Sequence, residues 1–274
     1  MTFACVIGWP VAHSRSPLIH NYWLGQHGIA GEYRREAVPP ESFPEFVRGL
    51  AERGYRGANV TLPHKEAALA LSEPDARARA VGAANTLWLD GERLLSTNTD
   101  VEGFIGNLDA SAPGWEAVAQ AAIVLGAGGS ARAVVFGLLE RGVQQLLLVN
   151  RTREKSEALR ASFGERVQPL AWGELAAALP QCGLLVNTTS LGMSGQPELN
   201  VDVNALPRAA TVTDLVYAPL ETALLRAAKA SGLRTADGLG MLLHQAVRGF
   251  SLWFGVTPAV TPELRALVER DLGA

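Results

Sequence analysis

The sequence predicts an α/β protein of two domains: a first unit of mixed strands and helices, then a doubly wound parallel sheet, with the last helices returning to the first unit. Three observations carry this. From Ala122 onward, apolar runs at Ala122–Leu125, Gln145–Val149, Leu184–Asn187 and Thr211–Val216 alternate with helical patterns, the rhythm of parallel strands joined by right-handed crossovers. Earlier in the chain, Ala83–Leu89 and Arg93–Thr97 flank Asp90-Gly91, a strong hairpin signal. After Gly238-Leu239-Gly240 the pattern is helical to the end, over Met241–Phe254 and Pro262–Leu272, when the sheet already has its strands. The expected domains are 1–103, 104–238 and the returning helices 239–274, with residues around Gly103 to Gly114 as boundary and hinge.

Within the first unit, Phe3–Ile7 reads as a strand ending at Gly8-Trp9-Pro10. Ser16 is placed as an N-cap with Pro17 at the first helical position, where proline's missing N–H costs nothing, and the helix should stop near Gly28. Glu32–Val38 is a second strand, and Phe43, Phe46, Val47 and Leu50 mark an amphipathic helix. Ala58–Leu62 is a third strand, breaking at Pro63-His64-Lys65 into another helix; Asn98-Thr99-Asp100 caps the helix that leads out.

Composition bounds the function. The 274 residues can bury a substantial core; apolar residues at 48% and charged ones at 19% describe an ordinary globular chain. A net charge of −3 gives no electrostatic reason to expect nucleic acid or an acidic membrane surface. Cys5 and Cys182 are the only cysteines, far apart and with no disulfide framework, so the reducing cytoplasm is the expectation. No apolar run approaches the length of a membrane span, and no export signal is read at the N-terminus. The five histidines form no ligand cluster with each other or with cysteine, so no metal is expected.

The stretch Ile123-Val124-Leu125-Gly126-Ala127-Gly128-Gly129-Ser130-Ala131 delivers a buried strand into a glycine turn and a helix. Gly126, Gly128 and Ala131 fit G-x-G-x-x-G/A: one glycine turns the chain, the next admits a pyrophosphate, and the small third residue lets helix pack on strand. The helix N-terminus then offers free N–H groups to phosphate. Alone, such a turn also fits ordinary structure; its strand–turn–helix setting favours a Rossmann-like dinucleotide domain.

At the end of the next strand, where NAD sites carry an acid for the ribose hydroxyls, stand Asn150, Arg151, Thr152, Arg153 and Lys155. An acid would repel a 2′-phosphate, whereas arginine grips it with a charge-assisted fork, so NADP is favoured over NAD. Read simply as a solvated helix start, this cluster has the wrong sign, because cations oppose the dipole there. In the first unit, Asn59-Val60-Thr61-Leu62-Pro63-His64-Lys65 leaves a strand at its carboxyl end, where open α/β sheets place ligands. A lone lysine there also fits an exposed side chain. Ser14, Ser16, Thr61 and Asn85 are neutral hydrogen-bonding groups suited to a polyol, though each singly also fits a cap or turn.

Together these segments resemble the shikimate dehydrogenases. The resemblance rests on His13-Ser14-Arg15-Ser16-Pro17, Asn59 to Lys65, Gly82-Ala83-Ala84-Asn85-Thr86 and Asn98-Thr99-Asp100 for the first half. The second half adds Gly126 to Ala131, Asn150-Arg151-Thr152, Asn187 to Met193, Asp214 to Tyr217 and Gly238 to Gln245. It spans nearly the whole chain in order. It implies reversible NADPH-dependent reduction of 3-dehydroshikimate to shikimate, in making aromatic amino acids, by a monomer or homodimer. It also implies that Ser14, Ser16, Thr61, Asn85, Asp100, Tyr217 and Gln245 hold the substrate, with Lys65 as acid/base and Asp100 beside it. Gly126, Ala127, Gly128, Gly129, Ser130, Ala131, Asn150, Arg151, Thr152, Arg153, Lys155, Leu215 and Gly238 would hold NADP; the family often has methionine where Leu215 stands. Two domains about a cleft suggest closure, with Gly103 and Gly238 as hinge candidates. The competing readings are a quinate or amino-analogue dehydrogenase, a non-catalytic NADP-binding regulator and a Rossmann methyltransferase.

Overall fold

The computed structural model describes residues 1–273 and divides into two compact units, 1–102 with 242–268, and 103–241 with the chain end from 269. The first unit holds β1 (Thr2–Gly8), α1 (Ser16–Gln26), β2 (Gly31–Ala37), α2 (Phe43–Arg48), β3 (Tyr55–Val60), α3 (Lys65–Ala70), β4 (Glu73–Pro74), α4 (Ala76–Val81), β5 (Thr86–Asp90) and β6 (Arg93–Thr97). Its six-stranded sheet has the order β2-β1-β3-β5-β6-β4. β1 is parallel to both neighbours, while β3–β5 and β5–β6 are antiparallel, the latter pair closing at Asp90-Gly91 with Gly91 at φ +63°. β4 and α4 lie outside the expected elements, because their runs are too short to show a period. β5 begins three residues later than expected: Ala83–Asn85 are buried but outside the ladder.

α5 (Asp100–Ser111) follows, then β7 (Ala121–Leu125), α6 (Gly129–Glu140), β8 (Gln145–Val149), α7 (Arg153–Phe163), β9 (Val167–Leu170), α8 (Leu175–Ala178), β10 (Leu184–Asn187), β11 (Thr211–Asp214), α9 (Ala223–Ala230), β12 (Arg234–Ala236), α10 (Gly238–Phe254) and α11 (Pro262–Leu272). The second sheet is parallel throughout, in the order β12-β11-β10-β7-β8-β9. This is the doubly wound arrangement, with its reversal point between β7 and β10. β9 and β12 escaped the sequence reading because each is short and interrupted by polar residues or proline.

Residues 103–111, which follow the Asn98-Thr99-Asp100 segment, form the body of α5, and the two compact units divide inside that helix, after Glu102. Val101, Phe104, Leu108 and Ala112 are all buried with helical spacing, and burying that stripe outweighs the roughly 1 kcal/mol each of Gly103 and Gly106. Gly238, the other hinge candidate, is the first residue of α10. Among the described residues no helix is long and apolar enough to cross a membrane.

In the first unit α1 lays His20 against an aromatic cluster. Its ring stacks on Tyr33 at 4.1 Å between centroids, with Trp23, Phe250 and Trp253 around it. Burial, opposed only weakly by the Asn59 side chain, pushes its pKa down to about 3, and neither ring nitrogen makes a hydrogen bond. Below about 6.5 the unfolded chain takes up a proton that the folded one refuses, so stability falls as pH drops from there toward about 3. Between pH 7 and pH 5 this group should remove about 2 kcal/mol. Urea midpoints at the two pH values should therefore differ less in His20→Phe than in the unsubstituted protein; an equal difference would acquit His20.

Candidate active site

Because β3 and β6 run with β1 and β5 runs against them, the carboxyl ends of β1, β3 and β6 and the start of β5 share one edge of the first sheet. Main-chain bonds join the segments there: Thr61 N–H donates to Ile7 O at 2.9 Å, and Trp9 N–H to Leu62 O at 3.1 Å. Thr61 packs its methyl group where a side chain at Gly8 would stand, 2.5 Å from an added Cβ. His64 anchors the following turn by stacking on Phe43 at 4.3 Å and bonding Val38 O through Nε2 at 2.7 Å.

That turn places Lys65 at the head of α3. Its Nζ donates to Asp100 Oδ2 at 2.5 Å, with the two side chains only 14% and 10% exposed. Asp100 also accepts from Asn85 Nδ2 at 2.8 Å, while Asn85 Oδ1 accepts from the Thr99 N–H at 2.7 Å. Thr99 Oγ1 reaches Gln245 Oε1 on α10 at 3.4 Å. Four of the expected residues, Lys65, Asp100, Asn85 and Gln245, are thus joined in one hydrogen-bonded cluster. Asp100 is the first helical residue but does not cap with its side chain; Asn98 Oδ1 accepts from the Asp100 N–H instead, freeing the carboxylate for Lys65.

The expected N-cap is also corrected. Ser16 is the first residue of α1, the N-cap is Arg15 with no side-chain cap bond, and Ser14 Oγ accepts the Ser16 N–H at 3.3 Å. The Ser14 carbonyl accepts two bonds from the Arg35 guanidinium, at 3.0 and 2.8 Å, which hold this segment against β2.

In the second unit β7 ends in the glycine turn. Gly126 has φ +104°, and an added Cβ would sit 2.6 Å from Thr188 Oγ1, whose hydroxyl is already committed to Leu125 O at 2.7 Å. Gly128, the N-cap of α6, and Gly129 have open space where side chains would stand, and Ala131 is fully buried. A chain that is bare on one side of the turn and packed on the other suits a close-lying pyrophosphate. The loops after β10 and β11 are tied to each other: Asn187 Nδ2 donates to Asp214 Oδ1 at 2.9 Å, and Asp214 also accepts from the Val216 N–H and the Thr222 hydroxyl. Burial raises the Asp214 carboxyl above its ordinary pKa despite these donors. Gly238 approaches Leu215 so closely that a Cβ would stand 2.3 Å from the Leu215 carbonyl oxygen.

A cavity of about 420 Å³ opens past β8, walled by Asn150, Arg151, Arg153, Trp172 and Leu191 among others. Asn150 Nδ2 bonds Thr152 O at 2.8 Å and so shapes the turn; Arg153 pairs with Glu157 at 3.3 Å on the surface. Thr152 and Lys155 are exposed and are not part of that wall. Tyr217 belongs to the second unit, in the loop after β11. No group of three or more metal-ligating side chains occurs among the described residues.

Family models described as shikimate dehydrogenase substrate binding domain, shikimate / quinate 5-dehydrogenase and shikimate 5'-dehydrogenase C-terminal domain match residues 6–87, 113–197 and 238–267. The shikimate dehydrogenase (NADP(+)) of Rhodopseudomonas palustris strain TIE-1 is 72% identical over 269 residues, 98% of this chain and 96% of that protein. The chain belongs to the shikimate dehydrogenase family. Among solved structures, shikimate 5-dehydrogenase from Thermus thermophilus, in complex with NADP(H) and shikimate, aligns with a TM-score of 0.84 at 36% identity, covering 99% of this chain and all of that one. Quinate dehydrogenase from Corynebacterium glutamicum, in complex with NAD, aligns at 0.90 and 31% identity, covering 97% and 98%.

Three polar residues of this cluster carry no expected role: Asn59, Thr86 and Tyr33. Asn59 interrupts the apolar run of β3, which was a readable signal. Tyr33 had none, since only the sheet register carries it to Asn59.

Proposed function

We propose that the protein catalyses the reversible NADPH-dependent reduction of 3-dehydroshikimate to shikimate, with Lys65 as acid/base. The observation that carries the reading is the Lys65–Asp100 pair, screened from water at a strand edge and flanked by neutral amides and hydroxyls. When bound, NADPH would supply the hydride, and its oxidised form would accept it in the reverse direction. Reduction builds negative charge on the ketone oxygen; the Lys65 ammonium stabilises that charge and gives up one proton to it, while Asp100 and Asn85 hold Nζ in position. Ser14, Ser16, Thr61, Asn85, Asp100, Tyr217 and Gln245 are assigned to the substrate's hydroxyls and carboxylate. Apart from the Asp100 carboxylate, their neutral donors and acceptors match a polyol acid.

NADP is assigned to the glycine turn Gly126, Ala127, Gly128, Gly129, Ser130 and Ala131, with Leu215 and Gly238, and its 2′-phosphate to Arg151 and Arg153, with Asn150, Thr152 and Lys155 at the same helix start. Charge-assisted bonds of this kind are worth about 1.5–3 kcal/mol. Arg151→Ala should therefore raise the KM for NADP by roughly ten- to a hundredfold and leave that for NAD unchanged; an unaltered NADP/NAD preference would remove the 2′-phosphate from Arg151. A biosynthetic use of NADPH fits the cytoplasm.

Steady-state kinetics with shikimate and quinate, each with NADP and NAD, tests the whole reading. The highest kcat/KM is expected for shikimate with NADP. A preference for quinate, or no turnover of either, would displace it by the quinate enzyme or the non-catalytic binder. Each oxidation releases one proton, so its apparent equilibrium constant should rise about tenfold per pH unit.

A further inference from the structure

We propose that Tyr33 is a positioning residue for catalysis, its phenol acting through Asn59, Thr86 and Asn85 on the carboxylate that holds Lys65. The inference rests on Lys65 and Asp100 being the reacting pair of the function proposed above.

Tyr33 stands on β2, two strands away from β3 across β1, yet its hydroxyl donates to Asn59 Oδ1 at 2.6 Å. Asn59 Nδ2 donates to Thr86 Oγ1 at 3.2 Å and faces the Asn85 carbonyl oxygen at 3.4 Å. Thr86 Oγ1 donates to Asn85 Oδ1 at 3.2 Å, and Asn85 Nδ2 donates to Asp100 Oδ1 at 2.8 Å. All five residues are at most 7% exposed, so water cannot replace a lost partner cheaply.

The senses of the two amides at the ends of this chain are determined. The Asn85 carbonyl can only accept, so the Asn59 atom facing it must be the amide nitrogen. Asn59 Oδ1 then points at Tyr33, which must donate. Having accepted from Asn59, the Thr86 hydroxyl directs its own proton to Asn85 Oδ1 at 3.2 Å or to Thr99 Oγ1 at 3.1 Å, which itself donates to Asn85 Oδ1 at 3.2 Å; the Thr99 N–H fixes the sense of that amide. The Asn85 amide nitrogen is left aimed at Asp100. Burial raises the Tyr33 phenol well above its ordinary pKa, so the donor at the head of the chain keeps its proton, and the neutral His20 ring stacked on it offers no competing bond. Without that donor the buried Asn59 Oδ1 is left unsatisfied, and the shift that relieves it loosens Asn59 from Thr86 and so weakens one of the bonds that orient Asn85.

The test is Tyr33→Phe, which keeps the ring and its stacking and removes only the hydroxyl. We expect kcat for shikimate oxidation to fall about three- to tenfold, the cost of a weakened buried hydrogen-bond chain, with the KM for NADP within about twofold of the unsubstituted value. The Ser16 hydroxyl also acts on the Tyr33 phenol, so Thr86→Val, which leaves Ser16 alone, separates the two routes. It should lower kcat similarly, and Thr86→Ser should restore it. Should Tyr33→Phe fail to fold, the Thr86 pair decides alone. Unchanged kcat in Tyr33→Phe and Thr86→Val, whatever the loss of thermal stability, would overturn the inference. So would a Thr86→Ser as impaired as Thr86→Val, because bulk and not the hydroxyl would then matter. Failure of the underlying assignment is seen separately, as an unsubstituted protein that does not oxidise shikimate.

Discussion

Lys65→Ala should lose about 10²–10⁴-fold in kcat while binding NADP as well as the unsubstituted protein does. The substitution removes both the proton and the positive charge that meets the developing oxyanion, and each is worth a factor of this order. The glycine turn and the Arg151 cavity lie in the other unit and are untouched. Asp100 keeps its bond from Asn85 but loses Nζ at 2.5 Å, and a carboxylate only 10% exposed is costly to leave unpaired. Lys65→Met, which retains the apolar stem, and a circular-dichroism spectrum of each variant therefore accompany the assay. Folded Lys65→Ala protein turning over within threefold of the original would remove the amine from the mechanism.

Trp253→Ala should cost the first unit about 3–5 kcal/mol, read as a lowered urea midpoint for the transition that shikimate protects. Trp253, 5% exposed, sits on α10 and donates its indole N–H to Leu87 O on β5 at 2.8 Å. It fits over Gly57, where a Cβ would stand 2.2 Å from the indole nitrogen, and against Gly249 of its own helix. Removing the ring leaves a cavity lined by those glycines and by the Ala4, Val6, Val11 and Tyr33 cluster, which cannot collapse without moving the sheet. Trp253→Phe keeps most of the packing and loses the hydrogen bond, for about 1 kcal/mol. A Trp253→Ala protein within 1 kcal/mol of the original would mean that α10 is held by other contacts.

Both experiments address residues that the chain presents very differently. Lys65 was legible because Pro63-His64-Lys65 breaks a strand at the end where ligands bind, and Gly126 because a strand–turn–helix pattern surrounds it. Arg151 was legible from charge, the wrong sign for a helix start and the right one for phosphate. Period and punctuation carry such local information, since they reflect the chain's own geometry. The same signals failed for β4, β9 and β12, too short to show a period, and Gly103, a hinge candidate, lies inside a helix held by a buried stripe.

Local pattern alone carries the two-part α/β plan, the glycine turn with its basic neighbour, and the order of the segments that supply the site. It takes the packed fold to show that Asp100 spends its carboxylate on Lys65 while Asn98 takes the main-chain N–H, that Ser14 accepts from the Ser16 N–H at the start of α1, and that a tyrosine on β2 ends a chain of amides reaching the same carboxylate. Each is a choice between partners that local sequence offers equally. Strand order and register settle it, because a hydrogen bond needs its two atoms within about 3 Å, and only the packed sheet brings segments so distant in the chain that close.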